Sequence, residues 1–146
     1  MSVKSTLPPK LRPQRIAILA YTGCMATEIF AVADVLLLAT HVASAMRKTA
    51  SPPFEVQVVG LGARTVAVAG GFTVGVQKPA GVYDLLIVPG LEIRSLDGWG
   101  SRLAPLRREL AFIRKCFASG TSVAAVCVGT FLLGEAGLSG GLGVRG

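Results

Sequence analysis

From Ile16 to Tyr21 the chain reads Ile-Ala-Ile-Leu-Ala-Tyr, a short unbroken apolar run. Such a run suits a strand buried on both faces, so a strand is predicted near 16–21. Tyr21-Thr-Gly-Cys is a turn, and Thr27 followed by Glu28 can start a helix. That helix is expected to reach about Met46, with Ile29, Val32, Ala33, Leu36, Leu37 and Ala43 on one face. After Ser51-Pro-Pro, the segment 54–61 (FEVQVVGL) alternates as a second strand. Segment 65–76 reads as two short strands around Gly70-Gly71, a hairpin signal. A further buried strand is predicted near 83–88, ending at Gly90, and an amphipathic helix over Leu103 to Ala118 with Pro105 in its first turn. A strand at 122–126 and a helical pattern after Cys127-Val-Gly complete the series. Strands alternating with helices predict an α/β fold, a mostly parallel sheet covered on both faces.

The two ends depart from this alternation. Residues 1–14 read as a flexible basic arm, because Lys4, Lys10 and Arg12 face no acid there. From Leu138 onward, four glycines in nine positions cannot continue a core helix or strand well. The main domain is therefore expected over 15–138, with a Gly-rich tail at 139–146 and a C-terminally incomplete, truncated architecture.

Composition narrows the class. With 146 residues there is room for one domain, and 51% apolar against 16% charged residues excludes a disordered chain. No stretch holds the roughly 18 uninterrupted apolar residues that a bilayer span needs. The best candidate, Ala31 to Met46, is broken by Asp34, Thr40 and His41. Pro8, Pro9 and Pro13 occupy the place of a signal-peptide core, so a cytoplasmic protein without a membrane partner is expected. Cys24, Cys116 and Cys127 form no CxxC pair, which leaves no zinc or disulfide framework and predicts no metal or cofactor. The net charge of +7 could attract nucleic acid, but solvated helix faces explain the arginines around Arg102 to Lys115 more simply.

In open α/β sheets, sites form beyond the carboxyl ends of strands. Three such ends carry suggestive residues: Gly23 to Glu28, Pro89-Gly90-Leu91, and Cys127-Val128-Gly129. The last has the form strand, A-V-C-V-G, helix, the spacing of a turn that exposes one side chain at a helix start. There the helix dipole and free N–H groups would lower the thiol pKa of Cys127. Backbone N–H groups near Gly90 and Leu91 could join that of Val128 to hold an anion. The plainer reading makes Cys127 a small buried residue of an Ala/Val-rich strand. Cys24 and Cys116 lack the turn and read as packing or surface thiols.

These residues carry a resemblance. Segments 15–36 (RIAILAYTGCMATEIFAVADVL), 83–92 (YDLLIVPGLE) and 123–138 (VAAVCVGTFLLGEAGL) resemble the ThiJ/PfpI superfamily, the class I glutamine amidotransferase-like proteins. The third segment is similar to the branch of isonitrile hydratases and AraC-type (GlxA-like) regulator sensor domains. The resemblance implies a flavodoxin-like three-layer sandwich, often a homodimer. It places Cys127 at the elbow cysteine and Glu28 at the acid that contacts it; Gly90, Leu91, Val128 and Gly129 would line the ligand site. The chain also departs from the family. Val128 follows Cys127, and His41, the only histidine, lies far along the first helix. A Cys–His hydrolase needs that base, so amidotransferase and protease activities are disfavoured.

The resulting expectation is a small-metabolite-sensing domain of an AraC-type regulator, binding a small-molecule ligand and touching DNA only through a missing C-terminal helix-turn-helix. The alternative is a hydratase or hydrolase with Cys127 as nucleophile and Glu28 as acid/base. A weaker third reading is a redox response in which Cys127 becomes sulfenic acid.

Overall fold

β1 (Gln14–Leu19) is the backbone of the architecture, because every residue from Ile16 to Leu19 is buried. Alternate residues of a strand point to opposite faces, so both faces of β1 are covered. The computed structural model describes residues 12–47, 51–95 and 97–138. After β1 come α1 (Ala26–Arg47), β2 (Phe54–Val59), β3 (Thr65–Ala67) and β4 (Thr73–Gly75). β5 (Leu85–Val88), α2 (Trp99–Leu103), α3 (Arg107–Ala118), β6 (Ser122–Ala125) and α4 (Gly129–Glu135) follow. A 3-10 turn, Ala104–Leu106, links α2 to α3.

Four strands form one parallel sheet in the order β2-β1-β5-β6. β3 and β4 pair separately as an antiparallel hairpin. The fold is thus α/β, a mostly parallel sheet flanked by helices, as the alternation predicts. From β1 the chain moves out to β2 and then returns to β5 on the other side, so the order reverses between β1 and β5. Crevices open at such reversals, beyond the strands' carboxyl ends.

The register identifies where cover is thinnest. Leu85 pairs with Ser122 and Ile87 with Ala124, so these four share one face of the sheet. Ile87 is buried, while Ser122 and Ala124 are exposed. The opposite face of β6, Val123 and Ala125, is half-buried against the core. That core joins β1 and β5 to Ile29, Leu103, Leu106, Ile113, Cys116, Leu132 and Leu133.

Several expectations need correction. Leu37 is not on the packed face of α1; it is 53% exposed, with Val35, Leu38, Val42 and Met46 also facing outward. α1 is apolar nearly all round, and by length and composition alone it is long enough to cross a membrane. The second helical segment begins at Trp99 rather than Leu103, and Pro105 lies in the 3-10 turn, where its missing N–H costs little. The basic arm ends earlier than position 14. Gln14 already pairs with Phe54, and Arg12 bridges Asp84 at 2.7 Å. Residues 1–11 of that arm and the Gly-rich tail at 139–146 lie outside the described residues. Arginines are used locally: Arg15 donates to Val82 O and Ala80 O, Arg102 to Glu92 O, and Arg114 to Ala136 O.

Candidate functional site

The carboxyl end of β1 is built by hydrogen bonds. Gly23 turns the chain at φ +83, a conformation that glycine adopts without cost, and donates to Ala67 O at 2.9 Å. Cys24 N–H donates back to Tyr21 O, and Met25 N–H donates to Gly90 O at 2.8 Å. Cys24 also forms an isolated antiparallel bridge with Leu91. These contacts join the β1 turn to the β5 turn and aim the first turn of α1, with Glu28, at Gly90.

Glu28 and Gly90 meet directly. Gly90 N–H donates to Glu28 Oε2 at 2.5 Å. A Cβ on Gly90 would stand 3.2 Å from Glu28 Oε2, 3.3 Å from Val128 N and 2.8 Å from Val128 Cγ2. The β1, β5 and β6 ends therefore converge on one glycine. Gly129 closes the approach from below: a Cβ there would lie 2.4 Å from Val88 O and 2.8 Å from Pro89 O. Only glycine lets α4 start so close to β5.

Cys127 sits between β6 and α4, at the strand-to-helix turn its spacing predicts. Its φ is +52, and among the described residues no other non-glycine residue has positive φ. Left-handed backbone costs a cysteine about 1 kcal/mol or more, so the position stores strain. Its carbonyl accepts from Thr130 Oγ1 at 3.0 Å, fixing the turn. Cys127 is exposed, whereas Cys24 and Cys116 are buried. The plain reading of Cys127 as a packing residue fails on that exposure. Burial pushes both other thiols up, and Glu28 adds to the effect at Cys24.

One expectation changes. The N–H of Gly90 is not free to hold an anion, because Glu28 already occupies it. The Leu91 side chain is buried, and its bridge to Cys24 is made by Met25 N–H to Gly90 O and Glu92 N–H to Gly23 O, so Leu91 N–H itself has no backbone acceptor among the described residues. Val128 N–H has no backbone acceptor among the described residues. On the helices, Trp99 of α2 and Phe131 of α4 stack edge to face with ring centroids 5.3 Å apart. Among the described residues no cluster of His, Cys, Asp or Glu could hold a metal ion. A recess near Arg64, Gln77 and Lys78 shares no residue with this site.

Tyr21 is the residue that sequence reading passed over. Its hydroxyl donates to Pro89 O at 2.5 Å from a fully buried position. A tyrosine at the end of an otherwise aliphatic strand was the available signal, since a buried hydroxyl must find an acceptor.

The sequence matches no protein-family model and no curated protein. Solved structures do match. A ThiJ/PfpI family protein from Pseudomonas syringae aligns with TM-score 0.62 at 20% identity, over 94% of this chain and 52% of that one. Drosophila melanogaster DJ-1beta aligns with TM-score 0.62 at 18% identity, over 87% of this chain and 62% of its own. An AraC family transcriptional regulator from Pseudomonas putida aligns with TM-score 0.58 at 22% identity, over 86% of this chain and 71% of that one. This chain thus spans between half and three quarters of each. With strand order β2-β1-β5-β6 and a cysteine turn between β6 and α4, the chain has the fold of the ThiJ/PfpI, DJ-1 and AraC-regulator structures.

Proposed function

We propose that this chain is a sensing domain of an AraC-type transcriptional regulator, holding a small metabolite where β1, β5 and β6 end. The observation that carries this reading is the exposed, strained Cys127, whose neighbour Val128 meets Gly90 where Glu28 binds it, with the one histidine far along α1. His41, the only histidine, is fifteen residues past Ala26 on α1. Helical rise puts it about 22 Å from the start of that helix. A thiol without a general base suits recognition better than repeated acyl transfer. The Trp99–Phe131 pair offers an apolar wall, while Glu28 and Val128 N–H offer polar contacts, the mixture that small-molecule sites use. In such a regulator DNA contact belongs to a separate helix-turn-helix part. The protein would act in the cytoplasm as a homodimer, consistent with the outward apolar side chains of α1.

One observation favours a second reading, a cysteine-dependent hydratase. Glu28 places a carboxyl at the same glycine that the Cys127 turn reaches, so acid and nucleophile share one cleft. Turnover decides between the two. Purified protein is incubated with small amides, aldehydes and isonitriles, and product is followed over many equivalents. The sensing reading expects no steady turnover, and ligands that slow alkylation of Cys127. Steady turnover that disappears in Cys127→Ala overturns it in favour of the hydratase.

A further inference from the structure

The Pro89–Gly90 peptide is gripped at both ends. Its oxygen accepts from Tyr21 Oη at 2.5 Å, and its N–H donates to Glu28 Oε2 at 2.5 Å. The described residues contain no cis peptide, so this oxygen and this N–H point to opposite sides of one rigid plane. A plane held at both edges cannot rotate, although Gly90 has no Cβ to restrict it. The hydroxyl also polarises the amide it binds, which makes the N–H a stronger donor to the carboxyl.

We propose that Tyr21 is a positioning residue for the cleft: through the Pro89–Gly90 peptide it fixes where the Glu28 carboxyl stands relative to the Cys127 turn. This rests on the reading of Glu28 and Cys127 as one site. Tyr21 does not itself line the cleft, being 1% exposed. Burial keeps its proton in place well above the usual phenol range, so the hydroxyl remains a donor throughout the working pH range. The neighbouring bonds leave the plane little other support. Met25 N–H grips the next carbonyl, Gly90 O, and Val126 N–H the preceding one, Val88 O, while Gly129 carries no Cβ to press on Pro89 O.

Two measurements test it on the whole chain. The first is the Gly90 amide proton in an assigned 15N–1H spectrum. Tyr21→Phe moves it upfield, toward a weaker hydrogen bond. Replacement of tyrosine by 3-fluorotyrosine, a stronger donor of nearly the same shape, moves it further downfield. Only Tyr21 and Tyr83 take the label, and Tyr83 donates to Gln57 Oε1 before the start of β5, whereas this peptide follows its end. The fluorinated chain answers the question even if Tyr21→Phe folds poorly. The second is the iodoacetamide rate at Cys127 in a double-mutant cycle. Tyr21→Phe changes that rate by about threefold or more in the natural background, and by little in Glu28→Gln, because its effect passes through the carboxyl. An equal effect in both backgrounds makes Tyr21 a general packing residue and overturns the proposal. If Glu28→Gln alone leaves the rate unchanged, the joint Cys127–Glu28 site fails. The Gly90 amide then decides the peptide clamp: a proton unmoved by both tyrosine changes overturns it.

Discussion

Two turns at the carboxyl ends of parallel strands carry a cysteine, and they are built in opposite ways. After β1, Gly23 takes the left-handed conformation at φ +83, and Cys24 folds inward to complete burial. After β6, the cysteine itself takes the left-handed conformation at φ +52 and stays exposed. The first turn is saturated by hydrogen bonds to the hairpin and to the β5 turn. The second leaves Val128 N–H without a backbone acceptor among the described residues. The chain thus gives the left-handed position to glycine in the buried turn and to a strained cysteine in the exposed one.

The comparison can be broken most severely at Gly129. A valine there would drive its Cβ into Val88 O and Pro89 O, and backbone cannot yield as a flexible side chain can. Gly129→Val is expected to cost about 3 kcal/mol or more, read as a lowered urea midpoint with reduced soluble yield. Next in size is the chemical contrast. Burial holds Cys24 and Cys116 as neutral thiols at pH 7 to 8, so Cys127 should alkylate at least about tenfold faster than either in the folded protein. Mass spectrometry of the three cysteine peptides checks this, and equal rates would end the distinction between the turns.

Strain gives a paired, smaller test. Cys127→Gly should stabilise the fold by about 1 kcal/mol relative to Cys127→Ala, because glycine relieves the left-handed backbone. Gly23→Ala should lose a similar amount, about 1 kcal/mol, for the reverse reason, since no atom blocks its Cβ. Thermal unfolding of the three variants measures both signs.

The smallest effect lies at the opposite end of the sheet, where Arg12 and the Arg15 N–H hold the Asp84 carboxyl below its usual range. A depressed folded value contributes stability that is present above the unfolded value, about pH 4, and lost as pH falls through the folded one. Asp84→Asn should therefore weaken the protein slightly at neutral pH. The difference from the natural chain should vanish in acid, as denaturation midpoints between pH 2 and 7 would show. Both Arg12 and Asp84 meet solvent, so the effect stays small.

Much of this contrast was legible in the chain alone. The Ile-Ala-Ile-Leu run, the Gly70-Gly71 hairpin and the A-V-C-V-G turn all emerged where pattern placed them. Those features depend on neighbours two to four residues apart, which sequence displays directly. The outward direction of Leu37 was not legible, because a helix apolar nearly all round has no single stripe to read. Nor was the occupied N–H of Gly90, whose partner Glu28 stands 62 residues away.

By itself, then, the sequence determined the element types, the glycine and cysteine turns, and the isolation of the one histidine. Tertiary structure decided the strand order, which brought three turns together at Gly90. It also decided that Glu28 binds a peptide N–H, that Tyr21 holds the other end of that peptide, and that Cys127 alone of the three thiols faces outward. The physical reason is that local pattern fixes which face a side chain takes. Contacts between distant segments follow from sheet register, which forms only when the whole apolar core is buried together.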